Sequence, residues 1–352
     1  MMLIIDGSYG EGGGQILRTT LALAALLNQP VCIDQIRARR KTPGLAAQHL
    51  TAVRAVAAIC EARLIGDTLG STSLTFKPQH PPIPGVYEFD VANARTGGSA
   101  GAVTLVLQTV LLPLALAAGP STVTAKGGTH VPWSPSFHYF DEVYLKMLSY
   151  LGVQATTELA AWGWYPAGGG EIKVTIPGQA KLTSPFPQWR GDLRQITGVA
   201  VAANLPAHIA QRMRDRAINL FKQAGRPAQI QPMRVPSLSP GAGIFLMAEY
   251  EGGRAGFTAL GERGKPSEQV AQEVVDNFLS FHGSGAFLDE HLTDQLILPL
   301  ALAGQPVTLT TERLSQHTLT NIWAVEQFLG PVAQVDQRHG IIEFLPREHQ
   351  LA

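Results

Sequence analysis

Three stretches of the chain share one pattern of apolar and polar positions. Leu21–Val31 (LALAALLNQPV), Leu112–Thr122 (LPLALAAGPST) and Leu298–Val307 (LPLALAGQPV) each read as the apolar end of a helix, broken by Gly, Asn or Gln and then Pro. Each is followed by an alternating run, VCIDQI, STVTAKG and VTLTTE, with the period of two expected of a half-buried strand. The helix-ending prolines Pro30, Pro120 and Pro306 lie 90 and 186 residues apart (120 − 30 and 306 − 120), so the second interval is about twice the first. Between about Ser184 and Phe281 the pattern changes to a strand (ITGVAVAANL), a helix (HIAQRMRDRAINLFKQAG), a strand (GIFLMAEYEG) and a helix (SEQVAQEVVDNFLSFHG). That order suits a small α/β domain. Removing it restores the shorter interval, so the expected organisation is a discontinuous three-repeat domain, 1–183 and 282–352, with an α/β domain, 184–281, inserted before the third repeat.

The length, 352 residues, agrees with two domains, since single cores usually stop growing at about 250–300 residues. The opening Met-Met-Leu-Ile-Ile-Asp-Gly lacks a basic start and a long apolar run, and reads as a first strand rather than a leader. Val103–Ala118 is mostly apolar but is interrupted by Gln108 and Thr109, which favours a buried core helix over a membrane span. With 45% hydrophobic and 15% charged residues, the composition is that of a packed globular chain. Lys+Arg and Asp+Glu balance at 27 each, which excludes a global field for long polyanions and leaves local basic clusters or short ligands. Cys32 and Cys60 have no metal-type spacing, and two thiols in so long a chain suit a reducing cytoplasm.

Each repeat's strand runs into a polar loop: Arg37–Gly44 (RARRKTPG), Gly127–Pro132 (GGTHVP) and Arg313–Thr318 (RLSQHT). Pseudo-symmetric repeats bring equivalent loops together, which makes these the places to look for a site. The opening turn, Asp6 to Arg18, is glycine-rich and runs from strand to helix, a setting in which backbone N–H groups can approach a phosphate. Glu11 among those glycines points to a divalent cation between carboxylate and phosphate, or else to a solvated turn. Arg18 lies on a helix otherwise made of Leu, Ala and Thr, where a charge needs an anion or a carboxylate. Arg37, Arg39, Arg40 and Lys41 form either a forked phosphate-binding cluster or a wet surface, and Gln48 and His49 open the next helix. Of the ten histidines, His317 stands in the third polar loop just before a helix, where a neutral imidazole can act as a nucleophile; His130 in the second loop is its competitor. The run Gly168-Gly169-Gly170 implies unusual backbone angles or close approach of another group.

Taken together, GEGGGQILR (Gly10–Arg18), RARRKTPGLAAQHL (Arg37–Leu50), TLVLQTVLLP (Thr104–Pro113), GGT (Gly127–Thr129), YPAGGG (Tyr165–Gly170), HLTDQLILPLALAG (His291–Gly304) and HTLTN (His317–Asn321) resemble the RNA 3′-terminal phosphate cyclase family, in order and over nearly the whole chain. The resemblance implies an α/β (α+β) fold of three sheet-plus-two-helix units similar to the C-terminal domain of bacterial translation initiation factor three. It also implies an ATP-dependent reaction with Mg2+ or Mn2+ on an RNA bearing a 3′-terminal phosphate. His317 matches the adenylated histidine and Glu11 the metal-associated carboxylate. Arg18, Arg40 and Gln48 match phosphate-site residues. Gln108, the run His291, Leu292, Thr293, Asp294 and Gln295, together with Pro132 and Phe257, match the nucleotide site. Two departures stand out: Trp162 occupies a position that is basic in the family's signature, and Thr96–Gly101 carries extra glycine. The competing readings are a catalytically silent relative acting in ribosome assembly and a transferase of related repeated fold with small-molecule substrates.

Overall fold

The computed structural model describes residues 1–95, 99–182 and 185–347. The alternating runs and the apolar helices close into one unit that recurs. In its first copy β1 (Leu3–Asp6) leads into α1 (Gly14–Leu26), then β2 (Val31–Asp34), α2 (Ala47–Cys60), β3 (Arg63–Ile65) and β4 (Leu74–Lys77). β1 and β2 are parallel, β2 and β4 antiparallel, β4 and β3 antiparallel, so the sheet order is β1-β2-β4-β3.

The second copy has the same order. It runs β5 (Val86–Asp90), α3 (Val103–Leu116), β6 (Ser121–Gly127), α4 (Phe137–Tyr139), a π-helical segment Phe140–Leu145, α5 (Lys146–Ser149), β7 (Thr156–Ala161) and β8 (Gly170–Ile176). Its sheet is β5-β6-β8-β7 with the same parallel and antiparallel pairs. From Val103 to Ala115 only Gln108 escapes burial, so α3 is the core helix expected of that apolar run. Each of its large apolar side chains contributes about 1.5–3 kcal/mol. Among the described residues no helix is long and apolar enough to cross a membrane.

Next comes the insert: β9 (Leu193–Ala203), α6 (His208–Gln223), β10 (Gln229–Val235), β11 (Gly241–Tyr250), β12 (Arg254–Leu260) and α7 (Ser267–Ser284). Its sheet order is β10-β9-β11-β12, and α6 and α7 cover one face with a separate apolar core. α7 continues to Ser284, so position 281 falls inside a helix, while positions 183 and 184 lie outside the described residues. The third copy follows with α8 (Glu290–Ala303), β13 (Val307–Thr310), α9 (Gln316–Leu329), β14 (Ala333–Asp336) and β15 (Ile341–Phe344). Its first strand is reduced to a single parallel bridge, Leu288 to Thr311. One hydrophobic core runs through all three copies, with α1 packed against α2, α3 and α9.

Candidate active site

The packing of α1 against α2 and α9 brings three helix N-termini to one place, because each of these helices starts just after a loop at the same end of its unit. Each helix start carries unpaired N–H groups and the positive end of a helix dipole, which together favour an anion. α1 begins at Gly14 after an N-cap, Gly13, that makes no side-chain bond, and it has no acidic residue in its first turn. α9 begins one residue before His317, with Ser315 capping the N–H of Thr318. Tyr9 stacks on Trp323 with ring centroids 4.0 Å apart, which fastens the glycine turn to the helix that carries His317.

Glu11 is the centre of the arrangement. Its Oε2 lies 3.0 Å from Arg40 Nη2 and its Oε1 lies 2.9 Å from His317 Nδ1. The second approach is one of charge and distance; among the described residues Oε1 has no partner at hydrogen-bonding angles. Burial by itself raises the Glu11 carboxyl, but His317 and then Arg40 outweigh it and hold the group below its ordinary value. The same contact raises the half-exposed His317 above 6.5, against the opposing effect of burial. With Nδ1 facing the carboxylate, Nε2 is the ring nitrogen left free.

Arg18 projects from the second turn of α1 and donates to Gln15 Oε1. Among the described residues no carboxylate lies within ion-pair distance of it; burial lowers its pKa, while Asp294 and Glu11 partly offset this from farther away. Below it is a cavity of about 50 Å³ lined by Arg18, Gln108, Gln295 and Asn321, among others. Gln108 Nε2, Gln295 Oε1 and Asp294 Oδ1 are buried there or beside it without hydrogen-bond partners among the described residues. Unpaired buried amides and carboxylates are costly, so this group of three is an opening for a polar ligand. Asn321, to which no role was attached from sequence, holds the floor together: its Oδ1 accepts from Thr19 Oγ1 at 2.6 Å and its Nδ2 donates to Asp294 O at 2.7 Å.

The remaining candidates are placed differently. Gln48 accepts from Ala102 N at 3.0 Å through Oε1. His291 and Pro132 are exposed, and Leu292 and Thr293 are fully buried, with Thr293 donating to Asp289 O. Phe257 stands apart from the cluster: its ring packs against Phe278 and Phe281 inside the insert. The basic loop is partly structural, because Arg37 donates to Gly44 O and Arg39 to Gly10 O, each at 2.7 Å. Of the three polar loops expected to meet, the second turns to the insert instead. His130 is buried there with Nδ1 2.8 Å from Thr129 Oγ1 and Nε2 3.1 Å from His138 Nδ1, and its ring packs against both Trp162 and Trp164. Trp162 thus fills the departing position with stacking in place of charge, and Leu238 of the insert lies against Gly169, where a Cβ would meet it at 2.3 Å. Thr96, Gly97 and Gly98 lie outside the described residues.

No set of three or more His, Cys, Asp or Glu among the described residues is arranged to hold a metal by protein ligands alone. A cation held by one carboxylate together with substrate phosphates and water needs no such set, and Glu11 beside the converging helix starts fits that requirement.

The family model described as RNA 3′-terminal phosphate cyclase matches residues 9–335. A protein named RNA 3′-terminal phosphate cyclase from Gloeothece citriformis (strain PCC 7424) is 53% identical over 335 residues, 95% of this chain and 95% of its own. One of the same name from Methylococcus capsulatus (strain ATCC 33009 / NCIMB 11132 / Bath) is 53% identical over 338 residues, 96% and 93% of the two chains. A further relative so named, from Methanosarcina barkeri (strain Fusaro / DSM 804), is 40% identical over 342 residues, 97% and 99% of the two chains.

Proposed function

The chain belongs to the RNA 3′-terminal phosphate cyclase family, and from that premise we propose that it converts an RNA 3′-terminal phosphate to a 2′,3′-cyclic phosphodiester at the expense of ATP. His317 Nε2 attacks the α-phosphorus of ATP, forming an N–P bond as the α–β bond breaks and pyrophosphate leaves. An oxygen of the RNA 3′-phosphate then displaces His317 from that phosphorus. Finally the neighbouring 2′-oxygen attacks the 3′-phosphorus, giving up its proton, and AMP departs. The last step requires a 2′-OH and therefore RNA.

The observation that carries this reading is the Glu11–His317 approach at 2.9 Å, which sets Nδ1 against the carboxylate and leaves Nε2 for chemistry at a helix N-terminus. Arg18, which has no carboxylate within ion-pair distance among the described residues, and Arg40 supply the charge that a transferring phosphoryl group needs. Gln108, Asp294 and Gln295 supply unpaired polar groups for the nucleotide. A divalent cation, Mg2+ or Mn2+, would be held by Glu11 and the phosphates of ATP, where it neutralises charge.

The test is to incubate the protein with α-labelled ATP and Mg2+ or Mn2+, then separate it under denaturing conditions beside His317→Ala. Acid-labile, base-stable label on the wild type alone is expected. Absence of label on folded, ATP-binding wild type overturns the histidine-adenylate mechanism.

A further inference from the structure

His49 is 6% exposed and sits in the first turn of α2 beneath the phosphate-type loop. Its Nδ1 accepts from the backbone N–H of Ala46 at 3.3 Å, which assigns the ring proton to Nε2. Burial, then the charges of Arg37, Arg18 and Arg40, push its pKa down to about 3, so the ring is neutral at ordinary pH. Among the described residues no hydrogen bond reaches Nε2. That atom faces the start of α1 so closely that a Cβ on Gly14 would lie 2.3 Å from it and 3.1 Å from Arg18 Nη1. Glycine at position 14 is therefore required by the close approach. The Nε2 atom of His49 and the guanidinium of Arg18 thus both lie against the start of α1, whose N-cap, Gly13, makes no side-chain bond.

Resting on the site reading above, we propose that His49 is a phosphate-binding residue, donating Nε2–H to a phosphate oxygen held at the N-terminus of α1 beside Arg18. A neutral imidazole suits that place, because it adds a donor without adding a fourth positive charge to three arginines. The phosphate belongs either to ATP or to the RNA end, and the experiment separates the two.

His49→Asn keeps an oxygen that can accept from Ala46 N and removes the distal donor, whereas His49→Gln carries an amide donor near the Nε2 position. Both are compared with wild type in covalent labelling by α-labelled ATP and in filter capture of an RNA oligonucleotide ending in 3′-phosphate, with the 3′-OH oligonucleotide as control. The expected result is a loss of roughly ten- to a hundredfold for His49→Asn, the size of a charge-assisted hydrogen bond, with most of it recovered in His49→Gln and unchanged thermal midpoints. A loss in labelling assigns the phosphate to ATP, and a loss confined to capture assigns it to the RNA end. Wild-type behaviour of His49→Asn in both assays overturns the proposal, as does an equal loss in both variants with lowered midpoints. If wild type itself neither labels nor captures RNA, the functional reading fails while His49 is still decided by calorimetry with inorganic pyrophosphate: weaker binding to His49→Asn supports the role, and equal or no binding ends it.

Discussion

What a histidine can do follows from what its two ring nitrogens meet. His317 has one nitrogen against Glu11 and one free at a helix start, whereas both nitrogens of His130 are engaged by Thr129 and His138. Burial drives His130 well down and His138 to about 4. Because these folded-state values lie below the unfolded value of about 6.5, the unfolded chain binds more protons, and their contribution to stability is present above about 6.5 and lost as pH falls towards 4. His138→Phe, which can keep the contact with Phe245, is expected to flatten the acid dependence by up to about 1.4 kcal/mol per pH unit, measured as urea unfolding free energy from pH 7 to 5. An unchanged slope would mean that His138 is protonated in the folded protein. At Arg18, replacement by Lys retains charge but not the planar fork, and about a tenfold loss of ATP binding is expected by calorimetry.

At the scale of elements, α7 shows how a helix end is secured from outside its own sequence. Arg190 donates to the carbonyls of Phe281 and His282 at 3.2 and 3.1 Å and to Ala286 O at 3.1 Å, and its guanidinium lies 4.7 Å from the centroid of Tyr250. These are acceptors in and just beyond the last turn of a helix, which has no later N–H groups to meet them. Arg190→Ala is expected to cost about 2–4 kcal/mol in urea unfolding and to speed amide exchange around Ser284–Ala286, because several partly buried carbonyls lose their donors together. Loss of stability without faster exchange there would place the effect in the stacking on Tyr250 instead.

Across the whole molecule, one carboxylate joins three parts of the fold. Asp289 is 2% exposed; its Oδ1 accepts from the N–H groups of His291 and Leu292 at the start of α8 and from Tyr139 OH, and its Oδ2 accepts from Gly256 N of the insert. Asp289→Ala removes a helix cap and strands a buried phenol and an amide, so a cost of about 3 kcal/mol is expected in urea unfolding. Because two of the donors lie outside the third unit, amide exchange in β12 and around Tyr139 should quicken as well. Exchange that changes only in α8 would reduce Asp289 to a local cap.

Strand alternation and helix ends are set by neighbours in sequence, so β1, β2, β6, β13 and the apolar α3 were legible in the chain. β10 and β12 gave no such signal: Gln229–Val235 carries Pro232 at its centre, and Arg254–Leu260 contains Gly and two Ala, so pairing with neighbours makes them strands. Glu11, Arg40 and His317 stood out as polar residues of unusual type in loops, but nothing local said that they touch. That contact joins the two ends of the chain, as does the bond from Thr19 to Asn321 across 302 positions, and it exists because α1 packs on α9. The packing of α2 against the start of α1 buried His49, and the contacts of His130 with His138, Trp162 and Trp164 took the second loop away from the cluster. Short-range periodicity determined the elements; which loops meet, which nitrogens stay free and which buried groups lack partners were decided only when distant helices packed together.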